Sequence, residues 1–457
     1  MKNLPLPKDK DWDTMPMFTP APPSLQRRRC LLTAAAMLGG LVVPRMAGAD
    51  GPQLAGAQLT ADFDPLAAMW LGYDQGHEAF TADLAQALWP HVPIRMLVRD
   101  ADAQARAISL LRGRGLDVSK LRFSFDEQAP FFVRDAAVYG PDGDDSPFIV
   151  DFQWTRYGWP SWCHRRYAGN QSDVKECAST DDLEAGGVDH RLAMSLGIPS
   201  LATPLAAEGG GVEVNGKGLI IANASLWLER NRGMPREVIE KHLLALPGMR
   251  KVIWVPHGLA QDSLHRTTIA GNYVGWGTGG HTDEFVRFAD ERTVLLAWVN
   301  EAEARRHPVA RLNRGRMLAN YEALAASTDQ RGRPLRVIRV PMPRIVERPV
   351  VLSADADTAY SEQWTAESFP AREGRREGDT VMQIATTSYL NHVVANDLVL
   401  LPSYLPHGTP PELQDQVRRL HESAYAGRKV KFIDAINANW VGGGAHCASL
   451  AEPAARG

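Results

Sequence analysis

The chain lacks any apolar run long enough to cross a bilayer. The run at 30–43 has 14 residues, where a spanning helix needs about 20. It also lacks a charge excess: a formal net charge of −3 makes no case for nucleic acid or an anionic membrane as partner. No low-complexity linker or block of like charge divides the 457 residues, so the pattern predicts one folded body over 50–457. Cysteine is scarce, with four residues in all. What remains is ordinary: 44% apolar and 23% charged residues, a composition that supports a soluble globular core.

The N-terminus reads differently from the rest. Residues 1–23 are rich in proline and polar side chains and receive no predicted structure. Arg27-Arg28-Arg29 then precedes the apolar run, and Ala47-Gly48-Ala49 follows it. Arginines, a short apolar segment and a small-x-small site make an export leader, and the paired arginines point to the twin-arginine route. Cleavage after Ala49 is expected to release a periplasmic or secreted chain, an uncleaved anchor being the alternative. Losing Cys30 leaves Cys163, Cys177 and Cys447. In an oxidising compartment an odd count suggests one bridge and one free thiol, and Cys163 with Cys177 is the nearer pair. Three independent thiols is the other reading.

Short β-branched runs at 94–98, 121–125, 148–152, 219–222, 252–255, 293–299, 335–340, 397–401 and 429–433 predict strands. Helical patterns occupy 81–88, 102–112, 235–246, 301–326 and 411–425, with Pro235 and Pro411 suited to first turns. The alternation predicts an α/β fold.

The chemistry starts at Cys447. It ends Val441-Gly442-Gly443-Gly444-Ala445-His446-Cys447, a glycine-rich turn that would admit a ligand close to the backbone. A thiolate is the strongest side-chain nucleophile near neutral pH, and reaching that state calls for electropositive surroundings. A buried structural cysteine is the plain alternative. A distant set changes the balance: Asp135 in Phe132-Val133-Arg134-Asp135, Glu208 in Glu208-Gly209-Gly210-Gly211, and His281 with Asp283 in Gly280-His281-Thr282-Asp283. Asp135 to Glu208 and Glu208 to His281 are each 73 residues, and His281 to Cys447 is 166, about two more intervals with Asn391 between. Such spacing fits repeats that each send a residue to one axis.

These segments, in this order, resemble the guanidine-modifying pentein superfamily, in particular its agmatine deiminases and bacterial-type peptidylarginine deiminases. Ser388-Tyr389-Leu390-Asn391 matches a further segment of that family, and the likeness runs from about residue 62 to about 450. The resemblance implies a five-bladed αβ propeller of ββαβ units and no cofactor. It implies that Asp135 and Asp283 grip a planar guanidinium cation, with Asn391 and Gly444 as further substrate contacts. Cys447 would attack the guanidinium carbon. His281 would protonate the departing ammonia and then activate water, and Glu208 would orient it and raise its pKa.

The expected substrate is agmatine or a similar small guanidine, giving the ureido product (N-carbamoylputrescine from agmatine) and ammonia. The alternative is an arginine-containing peptide or protein. A non-catalytic binding protein, and a metal hydrolase using His281 and Asp283, are the readings from other classes. Three features depart from the family: Phe132 stands where tryptophan is usual and the Gly-Pro after the Arg-Asp pair is missing, Ala448-Ser449-Leu450 follows Cys447 where Ile-Thr and a glutamine are common, and 265–279 reads as an insertion. The stretch 159–184 also reads as one, and both could cover the site's mouth.

Overall fold

A computed structural model describes residues 56–141, 146–167, 170–178, 187–354 and 364–455. The leader expected at 1–49 lies outside the described residues. From Ala49 to Gly457 the chain is one compact unit, with α/β architecture.

Among the described residues, five of the six sheets repeat one plan. A first strand runs antiparallel to a second, and the second runs parallel to a third. The first such sheet joins Ser449–Pro453 to Leu66–Gly72, then to Ile94–Val98 and Arg122–Phe125. The next is Val138–Pro141, Pro147–Gln153 and Ser200–Ala206. Glu213–Val214, Leu219–Asn223 and Lys251–Val255 make the third. Val286–Phe288, Thr293–Trp298 and Arg336–Pro341 make the fourth. The fifth is Val393–Ala395, Leu398–Ser403 and Lys429–Asp434. Each parallel pair is joined through at least one helix, as parallel pairing requires.

The middle strands are buried along nearly their whole length. Leu219–Asn223 is buried at every residue, which is why it reads as a continuous apolar run rather than an alternating one. Helix Glu78–Leu88 lays Phe80, Leu84 and Leu88 against Met69, Leu71, Ile94 and Met96. Truncating one such leucine to alanine costs about 2–5 kcal/mol.

Two expectations need correction. The single helix expected over 301–326 is two helices, Glu301–Arg306 and Pro308–Ala325. Pro308 has no N–H to continue the first helix but suits the first turn of a second, which His307 caps through Val309 N at 3.2 Å. The insertion at 265–279 is not a loop. It is a hairpin, Leu264–Ala270 with Tyr273–Thr278, that pairs onward with Thr380–Ile384 and Glu347–Val351 as the sixth sheet. The two-residue connection Gly271-Asn272, with Gly271 at φ 58°, is the signal that marks such a hairpin. The other insertion holds helices Trp159–Arg166 and Gln171–Ala178, joined by the Cys163–Cys177 disulfide. Among the described residues, Cys447 is the free, buried cysteine.

Candidate active site

The repeat places the chemistry. Asp135, Glu208, His281 with Asp283, Asn391 and Cys447 each lie in the short segment leading into the first strand of a repeated sheet. Five equivalent turns therefore converge. Arg134 N donates to Cys447 O at 3.0 Å and Thr282 Oγ1 to Gly210 O at 3.0 Å, tying turns far apart in sequence. Glycine makes the approach possible: a Cβ on Gly210 would lie 2.4 Å from His281 Nδ1.

His281 is buried and its Nε2 meets Glu208 Oε2 at 3.2 Å. Arg230 in turn donates Nε to both Glu208 oxygens at 2.7 and 3.0 Å, so the Glu208 carboxylate is held ionised. Burial opposes that charge, but Arg230 outweighs it and brings Glu208 to about 2. Burial likewise pushes His281 down, yet Asp135 and Glu208 together outweigh it and carry the imidazole up to about 9. His281 is thus a cation at neutral pH rather than a group titrating near 7. Its Nδ1 has no hydrogen-bond partner and stands 3.8 Å from Asp135 Oδ1.

Asp135 accepts from Gly210 N and from Tyr157 Oη, both at 3.0 Å. Burial raises it to about 6, which still leaves it ionised at neutral pH. Tyr157 comes from the turn before the disulfide-bonded helices and adopts the left-handed region at φ 54°.

The surroundings of Cys447 overturn the expectation of a positive environment. Its Sγ lies 3.5 Å from Asp283 Oδ2 and 3.9 Å from Glu284 Oε1. Burial, then the charges of Asp283, Glu284 and Asp135, hold the thiol well above its usual value. One donor works the other way: Asn391 Nδ2 reaches the sulfur at 3.0 Å. Asn391 also donates to Glu284 Oε1 at 2.8 Å and accepts from His446 N at 2.9 Å. Both ends of its amide are therefore engaged by protein atoms. Gly444 makes room for it, since a Cβ there would sit 2.5 Å from Asn391 Oδ1.

The composition of the site favours an organic cation with N–H donors. Asp283 Oδ1 and Glu284 Oε2 are buried without partners, and unpaired buried acceptors are costly unless a ligand supplies donors. Asp283, Glu284 and Cys447 also bring three possible metal ligands within 4.8 Å of one another. Asn391 donates to the sulfur and to Glu284, and His446 Nδ1 holds Asp283 Oδ2 at 2.7 Å.

The motifs alone left out several partners. Glu284 follows directly on Asp283 but stands outside the Gly-His-x-Asp segment. Arg230 has no motif around it, and Tyr157 lies two residues before the insertion at 159–184. Arg134 is not a solvated neighbour of Asp135: it is buried and bonds Ser449 O at 3.0 Å and Asp62 Oδ1 at 3.2 Å.

A cleft of about 590 Å³ is lined by Trp159, Trp162, Tyr167, His265, Arg266 and Trp276, among others. Two links join its lining to segments of the site. Trp159 is two residues from Tyr157, and a Cβ on Gly442 would lie 2.8 Å from Trp276 O.

The five-times repeated α/β body thus gathers cysteine, histidine and carboxylates at one point. Residues 61–453 match the model of the Porphyromonas-type peptidyl-arginine deiminase family, and the chain belongs to that family. A Streptomyces coelicolor protein provisionally named agmatine deiminase is 28% identical over 384 residues, covering 83% of this chain and 90% of that one. Among solved structures, the agmatine deiminase of Enterococcus faecalis superposes with a TM-score of 0.63 at 19% identity, covering 90% of this chain and 100% of that one. A single-residue variant of the C. jejuni agmatine deiminase with substrate bound gives a TM-score of 0.59 at 14% identity, covering 88% and 97%. These likenesses show the fold.

Proposed function

We propose that the protein is a guanidine deiminase that hydrolyses agmatine through a covalent intermediate on Cys447. Family membership supports it, and one observation carries it: a buried thiol, a buried imidazolium with a free Nδ1 and unpaired carboxylate oxygens meet at one point. The five repeated sheets support a five-bladed propeller with the site on its axis.

The reaction follows from the charges. A guanidinium cation brings N–H donors to the free oxygens of Asp283 and Glu284 and displaces the Tyr157 hydroxyl from Asp135. Its positive charge offsets the carboxylates that hold the thiol protonated, so substrate binding itself helps form the thiolate. The thiol proton passes to solvent water and is regained when the hydroxyl proton is lost on release of the ureido product. Sulfur attacks the guanidinium carbon to give a tetrahedral adduct. His281 passes its Nδ1 proton to the departing nitrogen, ammonia leaves, and an S-alkylthiouronium remains. His281, now neutral, takes a proton from water. The resulting hydroxide adds to the same carbon, and collapse expels the thiolate and releases the ureido product.

The aromatic cleft supports a second reading, a peptidyl-arginine substrate, because it is far larger than the aminobutyl tail of agmatine. The export leader read at 1–49 supports this too, since protein substrates lie outside the cytoplasm. The test is ammonia and ureido product measured with agmatine, free arginine and a blocked arginine peptide. Turnover of agmatine above the other two supports the first reading; preference for the peptide transfers the assignment; no turnover of any guanidine rejects both.

A further inference from the structure

His446, beside the nucleophile, has both ring nitrogens against carboxylates. Its Nδ1 lies 2.7 Å from Asp283 Oδ2 and its Nε2 lies 2.7 Å from Asp62 Oδ2. A neutral imidazole has one donor and one lone pair. A neutral ring here would press that lone pair on a carboxylate oxygen at hydrogen-bond distance.

We infer that His446 is held as an imidazolium between Asp62 and Asp283, and that it is a positioning residue that fixes Asp283 and screens its charge from Cys447. This rests on the deiminase reading for its purpose but not for its geometry. The oxygen of Asp283 that His446 grips is the one 3.5 Å from Cys447 Sγ. The other, Oδ1, is the unpaired one. The clamp therefore fixes the carboxylate's rotation, leaving Oδ1 for a guanidinium, and places a cation next to the charge that opposes thiolate formation.

The charged neighbours divide. Burial and then Arg134 and Arg287 pull the ring below its ordinary value, and the two short contacts to Asp62 and Asp283 work against them. His392, held neutral by burial, adds no charge. Burial opposes the charge on both carboxylates, but cations other than His446 stand against each: Arg134 and Arg287 lower Asp62, and His281 and Arg287 lower Asp283. With both acceptors ionised, two short bonds need two donors on the ring.

Arg134 Nη1 at 3.2 Å and Arg287 Nη2 at 2.6 Å fix Asp62 from behind, and Arg287 Nε reaches Glu213 at 3.1 Å. The clamp is thus anchored in four of the repeated sheets' leading segments and strands. A second-layer network of this kind is how a protein holds a reacting group to a fixed orientation.

Nitrogen-15 NMR of the free enzyme with labelled histidine tests the protonation state directly, with the His446 signals assigned by their loss in His446→Gln. At about pH 8, above the ordinary histidine value of about 6.5, both ring nitrogens are expected to be protonated. A ring with one bare nitrogen at that pH overturns the inference. The role is tested by the pH profile of Cys447 alkylation with iodoacetamide in His446→Gln and, should that variant not fold, in Asp62→Asn. The profile is expected to move up by about one pH unit, a tenfold slowing at fixed pH. An unmoved profile in a folded variant overturns the screening role. Neither readout needs turnover, so failure of the deiminase reading would show separately, as absent ureido product with both results intact.

Discussion

Asn391 donates its Nδ2 to the sulfur of Cys447 at 3.0 Å and to Glu284 Oε1 at 2.8 Å. It is the donor that favours the thiolate in a setting where burial and three carboxylates oppose it. Asn391→Ala should leave substrate capture nearly intact and slow the chemical step. Hydrogen bonds to charged groups are worth about 1.5–3 kcal/mol, so kcat should fall roughly 10- to 150-fold with KM within a few-fold. A rise in KM with unchanged kcat would show that Asn391 binds substrate instead.

The dependence of kcat/KM on pH should be bell-shaped. Asp135, raised by burial to about 6, must be ionised to accept guanidinium N–H bonds, so activity should fall as pH drops through that value. His281, raised to about 9, must carry its proton, so activity should fall as pH rises through it. Glu208→Gln removes the bonded carboxylate from His281 and should move the alkaline limb down. Rates at fixed substrate from about pH 5 to 10 in both proteins check this; an alkaline limb that stays in place would contradict the Glu208–His281 coupling.

Asp135→Asn and Asp283→Asn keep size and remove charge. Each should lower kcat/KM by roughly 10- to 150-fold, the loss of one charge-assisted contact. The loss should be larger where the new amide turns N–H groups toward the substrate's own donors. Circular dichroism should show both variants folded. Near-wild-type values in both would remove the guanidinium from this site.

These predictions rest on residues of unequal legibility. Cys447, His281, Glu208, Asp135 and Asp283 could be read because each stands in a short glycine-bearing turn or beside a recognisable neighbour, and the 73-residue spacing follows the repeated unit. The buried strands were legible as apolar β-branched runs; the strand expected at 94–98 is Ile94–Val98. The first strands of the repeats were not, because Glu213–Val214 and Val393–Ala395 are two and three residues long and carry no period. Arg230, Asp62 and Tyr157 act through contacts 22 to 384 residues away, which no local pattern encodes. The electronegative setting of Cys447 is likewise a product of convergence, since only Asp283 and Asp135 belonged to the expected site and Glu284 did not.

The Cys163–Cys177 bridge closes 14 residues of chain and ties the two helices that wall the aromatic cleft. Loop-closure entropy for a segment of that length is worth up to about 3 kcal/mol. Cys163→Ser with Cys177→Ser should lower the melting temperature and open the cleft's helices to proteolysis, while Cys447 keeps its alkylation rate. Unchanged proteolysis at 159–178 would show that packing alone holds those helices.

The central claim is that Cys447 becomes covalently bonded to the guanidinium carbon after ammonia leaves. The direct measurement is mass spectrometry of enzyme quenched with acid during turnover of agmatine, with the peptide containing Cys447 isolated. The account predicts an increment on that peptide equal to agmatine minus ammonia, absent from Cys447→Ser, whose turnover should fall below about one-hundredth of wild type. Steady turnover by Cys447→Ser, or active wild-type enzyme that never carries the increment, would contradict it.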